Sequence, residues 1–138
     1  MQMTTFCQLG DRGFLKIEGP DAVKFMQGYT TCDLTSLADD TPSLGATCNI
    51  QGRMLTSYLL VKRGNDLYLR MHRPLIQKTI EFLSKYIVFS KADLFDISDD
   101  LACYGSPGEA DIDVGKGFRL ALGNRTEFWL PSEQAVDA

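Results

Sequence analysis

A chain of 138 residues, 44% hydrophobic and 23% charged, has the composition of one globular domain and excludes general disorder. Lys and Arg number 14 against 18 Asp and Glu, which gives a net charge of −4 and a pI near 4.9. Such a chain lacks the field that concentrates phosphate backbones, so direct nucleic-acid binding is not expected. No apolar run reaches the ~20 residues of a membrane span, and "MQMTTFCQLGDRG" has no basic region followed by an apolar core, so no membrane association is expected and the cytoplasm is the default location.

Residues 14–18, "FLKIE", alternate apolar and polar and predict a strand. Gly19-Pro20-Asp21 opens a helix, with proline where a missing N–H costs nothing. Within "DAVKFMQG", Ala22, Val23, Phe25 and Met26 share a face, and Gly28 suits a left-handed cap. Beyond it, Tyr29, Thr30, Thr31, Cys32 and Asp33 stand in a row. This cluster fits an ordinary turn, and it equally fits the wall of a binding site.

"LGATCNI" and "MLTSYLLVK" predict two strands joined tightly through Gln51-Gly52-Arg53. "RGND" at 63–66 is a hairpin turn, and "DLYLRM" returns with Leu67, Leu69 and Met71 on one side. Pro74 starts the longest helix, along which Leu75, Ile76, Ile80, Leu83, Tyr86 and Ile87 fall at helical spacing, with Glu81 and Lys85 on the wet side. "KADLFDIS" and "LACYG" predict further strands, "GSPGEADIDVGKG" a Gly-rich loop, and "FRLALG" with "EFWLP" a closing hairpin. Hairpin-linked strands mixed with helices predict a single α+β domain over 1–138, a mainly antiparallel sheet with helices packed on one face.

The chemistry-bearing residues are few. Cys7, Cys32, Cys48 and Cys103 form no CxxC pair and His72 is the one histidine, so no metal centre is expected and the cysteines read as free, mostly buried thiols. Gly115-Lys116-Gly117 resembles a phosphate loop but lacks both its first glycine and its Ser or Thr. Asn124-Arg125-Thr126 matches a glycosylation sequon, which carries no weight in a cytoplasmic chain. His72, at a strand end without an acidic neighbour in sequence, fits a solvated or capping imidazole as well as a general base. Asn49 and Arg53 bracket a strand connection, where they either face a cavity or hold the turn together.

Taken together, "IEGPDAVKFMQGYTTCDL", "GATCNIQGRMLTSYLLVKRGNDLYL" and "LSKYIVFSKADLFD" resemble the first domain of the YgfZ-type folate-binding proteins. These are tRNA-modifying and iron-sulfur-maintenance factors related to the aminomethyltransferase (T-protein) of the glycine cleavage system. The resemblance covers about residues 9 to 98. It implies the aminomethyltransferase-like folate-binding fold and a tetrahydrofolate ligand. The implied cavity residues are Thr31 and Asp33 beside the helix, Asn49 and Arg53 in the "GATCNIQGR" block, and Arg12. At the place of Arg12 a relative sets an aromatic residue against the folate, and a guanidinium can lie flat on a pterin ring.

The chain departs from the family in two ways. Aminomethyltransferases carry adjacent aspartates, one of them catalytic, where this chain has Thr56 and Ser57. A hydroxyl near its ordinary pKa cannot replace that carboxylate, so no catalytic residue is assigned. The family's KGCYxGQE motif has no counterpart, since Lys116-Gly117 is followed by Phe118-Arg119. The resemblance therefore implies a fragment of a longer protein, with folate and iron-sulfur protein clients as its partners. A two-fold dimer would hide the apolar surface such a fragment leaves. Two rival readings are a folate-dependent one-carbon transferase and an interaction module that has lost the ligand.

Overall fold

Period-two patterns become strands because alternate side chains then reach opposite faces of a sheet. The computed structural model describes residues 7–49, 51–108 and 114–132. The chain runs β1 (Cys7–Gln8), β2 (Arg12–Glu18), α1 (Ala22–Gln27), β3 (Ser43–Cys48), β4 (Met54–Arg63) and β5 (Asp66–His72). A 3-10 turn at Arg73–Leu75 leads into α2 (Ile76–Ile87), followed by β6 (Asp93–Asp96), β7 (Leu101–Pro107), β8 (Phe118–Ala121) and β9 (Arg125–Pro131). Pairing is antiparallel and builds two sheets, ordered β3-β4-β5-β2-β6 and β1-β7-β9-β8.

The larger sheet carries a core on each face. Leu15 and Ile17 of β2, Tyr58 and Leu60 of β4, and Leu67, Leu69 and Met71 of β5 meet Phe25 and Met26 of α1 and Ile76 and Leu83 of α2. The intervening Phe14, Leu59 and Val61 pack instead on Cys103, Phe118, Leu120 and Trp129 of the smaller sheet. The order of layers is thus helices, larger sheet, smaller sheet, which keeps both helices on one face as the sequence predicts. The division of the strands into two sheets was not anticipated, because alternation shows that a strand has two faces but not what covers each.

Several local expectations are corrected. Gly28 is not a left-handed cap, since its φ is −76° and α1 ends with Tyr29 and Thr30 both donating to the Met26 carbonyl. Pro74 sits in the 3-10 turn, two residues before the first residue of α2. Cys32 and Cys103 are buried, whereas Cys48 is half-buried and Cys7 exposed, so only two of the four thiols are interior. The strand β1 is too short to show alternation. Residues 1–6, 50, 109–113 and 133–138, with part of the Gly-rich loop, lie outside the described residues.

Gly19 is a position only glycine fills comfortably. Its φ is +127°, and a Cβ there would meet the Lys91 carbonyl oxygen at 2.5 Å. That close approach lets the Asp21 N–H donate to the Lys91 carbonyl at 3.1 Å while the Lys91 N–H donates to Asp21 Oδ2 at 2.9 Å, tying the start of α1 to the entry of β6. Replacing Gly19 by Ala is expected to lower stability by about 2 kcal/mol, and Leu69→Ala, at a fully buried site, by roughly 2 to 5 kcal/mol. Leu44→Ala, 80% exposed, is expected to shift it by no more than about 0.5 kcal/mol. Urea denaturation of the three variants checks this ranking.

Candidate functional site

Where β2 and β4 begin and β5 ends, side chains facing the smaller sheet extend beyond its cover. Register places Arg12 beside His72, Phe14 beside Arg70, and Leu59 between Arg70 and Leu44. Phe14 and Leu59 are buried in the interface core. Arg12, Ser57, Arg70 and His72 line a cleft of about 490 Å³, with Leu44, Leu59, Met71 and Leu75 as its apolar wall. A second cleft of about 300 Å³ shares Leu44, Leu59 and Arg70 with the first. A third, of about 310 Å³, continues along Asn124, Arg125 and Glu127.

The floor between these clefts is an ion pair. Arg70 donates from Nε and Nη2 to Glu127 Oε1 and Oε2 at 2.6 and 2.7 Å, with the two side chains 12% and 1% exposed. Trp129 Nε1 donates to Glu127 Oε1 at 2.8 Å, and the Cys103 thiol at 3.1 Å. Burial by itself would raise the Glu127 pKa, but the Arg70 hydrogen bonds and charge, joined by the Trp129 and Cys103 donors, hold it below the usual carboxylate range. Burial, followed by the Glu127 charge, pushes the Cys103 thiol far above its ordinary value. Cys103 is therefore a hydrogen-bond donor and a poor nucleophile.

Sequence reasoning missed Glu127. The signal was present in "RTEFWLP", where Glu127 stands two residues before Trp129 and so shares its face; a buried indole needs a partner for its N–H. Alternation likewise separates Thr56 from Ser57. Thr56 points to the helix side, where it is 3% exposed and its Oγ1 lies 3.7 Å from Met71 Sδ, whereas Ser57 opens on the cleft.

Of the five nominated cavity residues, Arg12 lines the cleft. Its Nη1 donates to Asp11 Oδ2 at 2.8 Å, and its Nε is shielded from water without a hydrogen-bond partner. The other four occupy turns and do not line this cleft. Thr31 pairs through its N–H and Oγ1 with the Ala46 carbonyl and N–H, each at 3.0 Å, and so lengthens the ladder beside β3. Asp33 is exposed and accepts from the Thr35 hydroxyl and N–H and from the Ser36 hydroxyl; these bonds, the Thr35 hydroxyl first, lower its pKa. Asn49 Oδ1 accepts from the Gln51 and Arg53 N–H groups at 3.0 Å each, which holds the β3–β4 turn, while Arg53 is exposed.

The Tyr29–Asp33 stretch is held by side chains on either side of it. Tyr58 donates to Thr30 Oγ1 at 2.7 Å, and the Gln27 side chain bonds the Cys32 carbonyl and the Leu34 N–H at 2.9 and 2.6 Å. His72 gains from the fold the acidic neighbour its sequence lacks, with Nδ1 lying 3.7 Å from Asp11 Oδ2. Among the described residues, no group of three or more His, Cys, Asp or Glu is placed to hold a metal ion, and no helix is long and apolar enough to cross a membrane.

Two outcomes follow for the buried pair. Glu127→Gln leaves the Arg70 charge buried and unpaired, so it is expected to cost roughly 3 to 5 kcal/mol at neutral pH. Because the folded pKa of Glu127 lies below its unfolded value, the contribution is present above the ordinary Glu range and is lost as pH falls through the folded value. The stability gap between the two proteins, read by urea denaturation, should therefore narrow with acidification. A thiol reagent should label exposed Cys7 in the native protein and reach Cys103 only on unfolding.

No protein-family model matches the chain. By sequence it is 32% identical over 97 residues to the tRNA-modifying protein YgfZ of Aliivibrio fischeri, a match covering 70% of this chain and 30% of that protein. It is 31% identical over 123 residues to the tRNA-modifying protein YgfZ of Hamiltonella defensa, covering 89% of this chain and 36% of that protein. The matches thus span 30% and 36% of the length of these two curated relatives. In structure it superposes on the glycine cleavage system aminomethyltransferase T of Bartonella henselae with a TM-score of 0.78 and 14% identity, over 96% of this chain and 43% of that one, a likeness of fold alone. Sequence matches and fold agree that the chain is a YgfZ-type domain with the aminomethyltransferase T architecture.

Proposed function

We propose that the chain is a folate-binding domain of a cytoplasmic YgfZ-type factor, and that it supports iron-sulfur enzymes and, through one of them, tRNA modification. One observation carries this reading. Arg12, which the family resemblance sets against the folate, and Ser57, one of the two residues standing where relatives carry aspartates, line a single cleft. At about 490 Å³ it falls within the range of small-molecule sites. Leu44, Leu59 and Met71 offer apolar surface to a flat ring, and the guanidinium of Arg12 brings a cation to the same cleft.

The same position argues against catalysis by the domain alone. One-carbon transfer needs a group that steers a proton at the folate nitrogen, and the Ser57 hydroxyl opening on the cleft is no substitute for a carboxylate. The domain is read as a folate carrier acting beside protein clients. Direct nucleic-acid contact is not part of the proposal, given the net charge of −4.

Anaerobic titration calorimetry with tetrahydrofolate tests the reading. The cleft is open to solvent and leaves part of the ligand wet, so the dissociation constant is expected to be no tighter than roughly tens of micromolar, about 6 to 7 kcal/mol. Absence of heat at millimolar ligand would overturn folate binding. In parallel, no turnover of methylene-tetrahydrofolate formation is expected; measurable turnover would restore the transferase reading.

A further inference from the structure

The cleft is polarised in charge. The side chains lining it include two arginines and a histidine and no carboxylate, in a chain whose net charge is −4. Nearby acids are already engaged: Glu127 holds Arg70, and Asp11 bonds Arg12 at 2.8 Å with His72 at 3.7 Å from the same oxygen. Arg70 spends Nε and Nη2 on Glu127, which leaves Nη1 without a partner among the described residues. The Nε of Arg12 is shielded and unpartnered. An orphaned donor of this kind is costly and calls for an acceptor the protein itself does not supply. Leu44, Leu59, Met71 and Leu75 supply the apolar part of the lining.

We propose that Arg12, Arg70 and His72 form an anion subsite within this cleft that takes the glutamate carboxylates of a folate, leaving the apolar wall to the ring system. The inference rests on the folate reading and specifies the ligand's orientation, with the tail rather than the pterin at Arg12. Carboxylate is the fitting chemistry because a guanidinium offers two parallel N–H groups to its two oxygens. On binding, the ligand carboxylate competes with Asp11 for the Arg12 guanidinium. The Ser57 hydroxyl, which makes no side-chain hydrogen bond among the described residues, adds a donor in the same cleft. Arg70, fixed by Glu127, keeps the subsite's geometry when the ligand is absent.

The test compares tetrahydrofolate with tetrahydropteroate, the same ring system without glutamate, by calorimetry on the unaltered chain and on Arg12→Gln. Tetrahydrofolate is expected to bind about tenfold more tightly than tetrahydropteroate, and Arg12→Gln to bring the two affinities together by weakening tetrahydrofolate about tenfold more than tetrahydropteroate. Arg12→Lys, which keeps the charge and loses the fork, should retain only part of the preference. Equal binding of the two ligands to the unaltered chain would overturn the subsite and leave the folate reading standing. Binding of neither would overturn both. Circular dichroism of each variant confirms that the fold is intact before affinities are compared.

Discussion

The joint between the two sheets depends on one carboxylate. Glu127 lies on β9, an inner strand of the smaller sheet, and Arg70 on β5, the central strand of the larger. Their two parallel hydrogen bonds cross the interface at 2.6 and 2.7 Å. An apolar interface made of Phe14, Leu59, Val61, Phe118 and Trp129 supplies adhesion without direction, since hydrophobic contact is tolerant of sliding. A buried pair tolerates none, because displacing either partner leaves a charge with neither water nor a counterion. The pair therefore sets where the smaller sheet stops on the larger one, and that stopping line determines which side chains are left to form the cleft.

The pair also governs the chemistry around it. Glu127 accepts from the Trp129 indole and the Cys103 thiol, so the interior polar groups of the interface are satisfied through one acid. Cys103 is held protonated, which makes this interior thiol a poor nucleophile. Arg70 is pinned by Glu127 and lines the cleft. The cleft thus inherits its positive character from a side chain whose position was fixed for a structural reason.

The larger sheet makes this arrangement possible because both of its faces are apolar. Tyr58 and Leu60 serve the helix layer while Leu59 and Val61, one residue out of step, serve the smaller sheet. The same alternation gives Thr56 to the interior and Ser57 to the cleft. Two adjacent hydroxyl residues, equivalent in composition, thereby acquire unrelated roles, one near Met71 in the core and one on the wall of the candidate site.

Much of the architecture was legible in the sequence, because secondary structure and facing are set locally. The alternation of "DLYLRM" fixed which side of β5 is interior, helical spacing picked out Ile76 and Leu83 on the buried face of α2 but also Tyr86, which is exposed, and missed buried Thr79, and the order of quoted blocks pointed to the YgfZ-type fold. The polar residues could not be sorted the same way. Thr31, Asp33 and Asn49 look alike in sequence as polar turn residues, whereas what each side chain bonds, the Ala46 N–H for Thr31, Thr35 and Ser36 for Asp33, and the Gln51 and Arg53 N–H groups for Asn49, depends on how the backbone curls at those points. Glu127 looks like surface, yet it is the most enclosed acid of the interface, because its burial depends on an arginine 57 residues away in sequence. What the sequence determined by itself was periodicity, and with it the strands, helices and their inward faces. What only the tertiary structure decided was which charges meet across two sheets and where cover ends, since both depend on contacts between segments remote in the chain that no local pattern encodes.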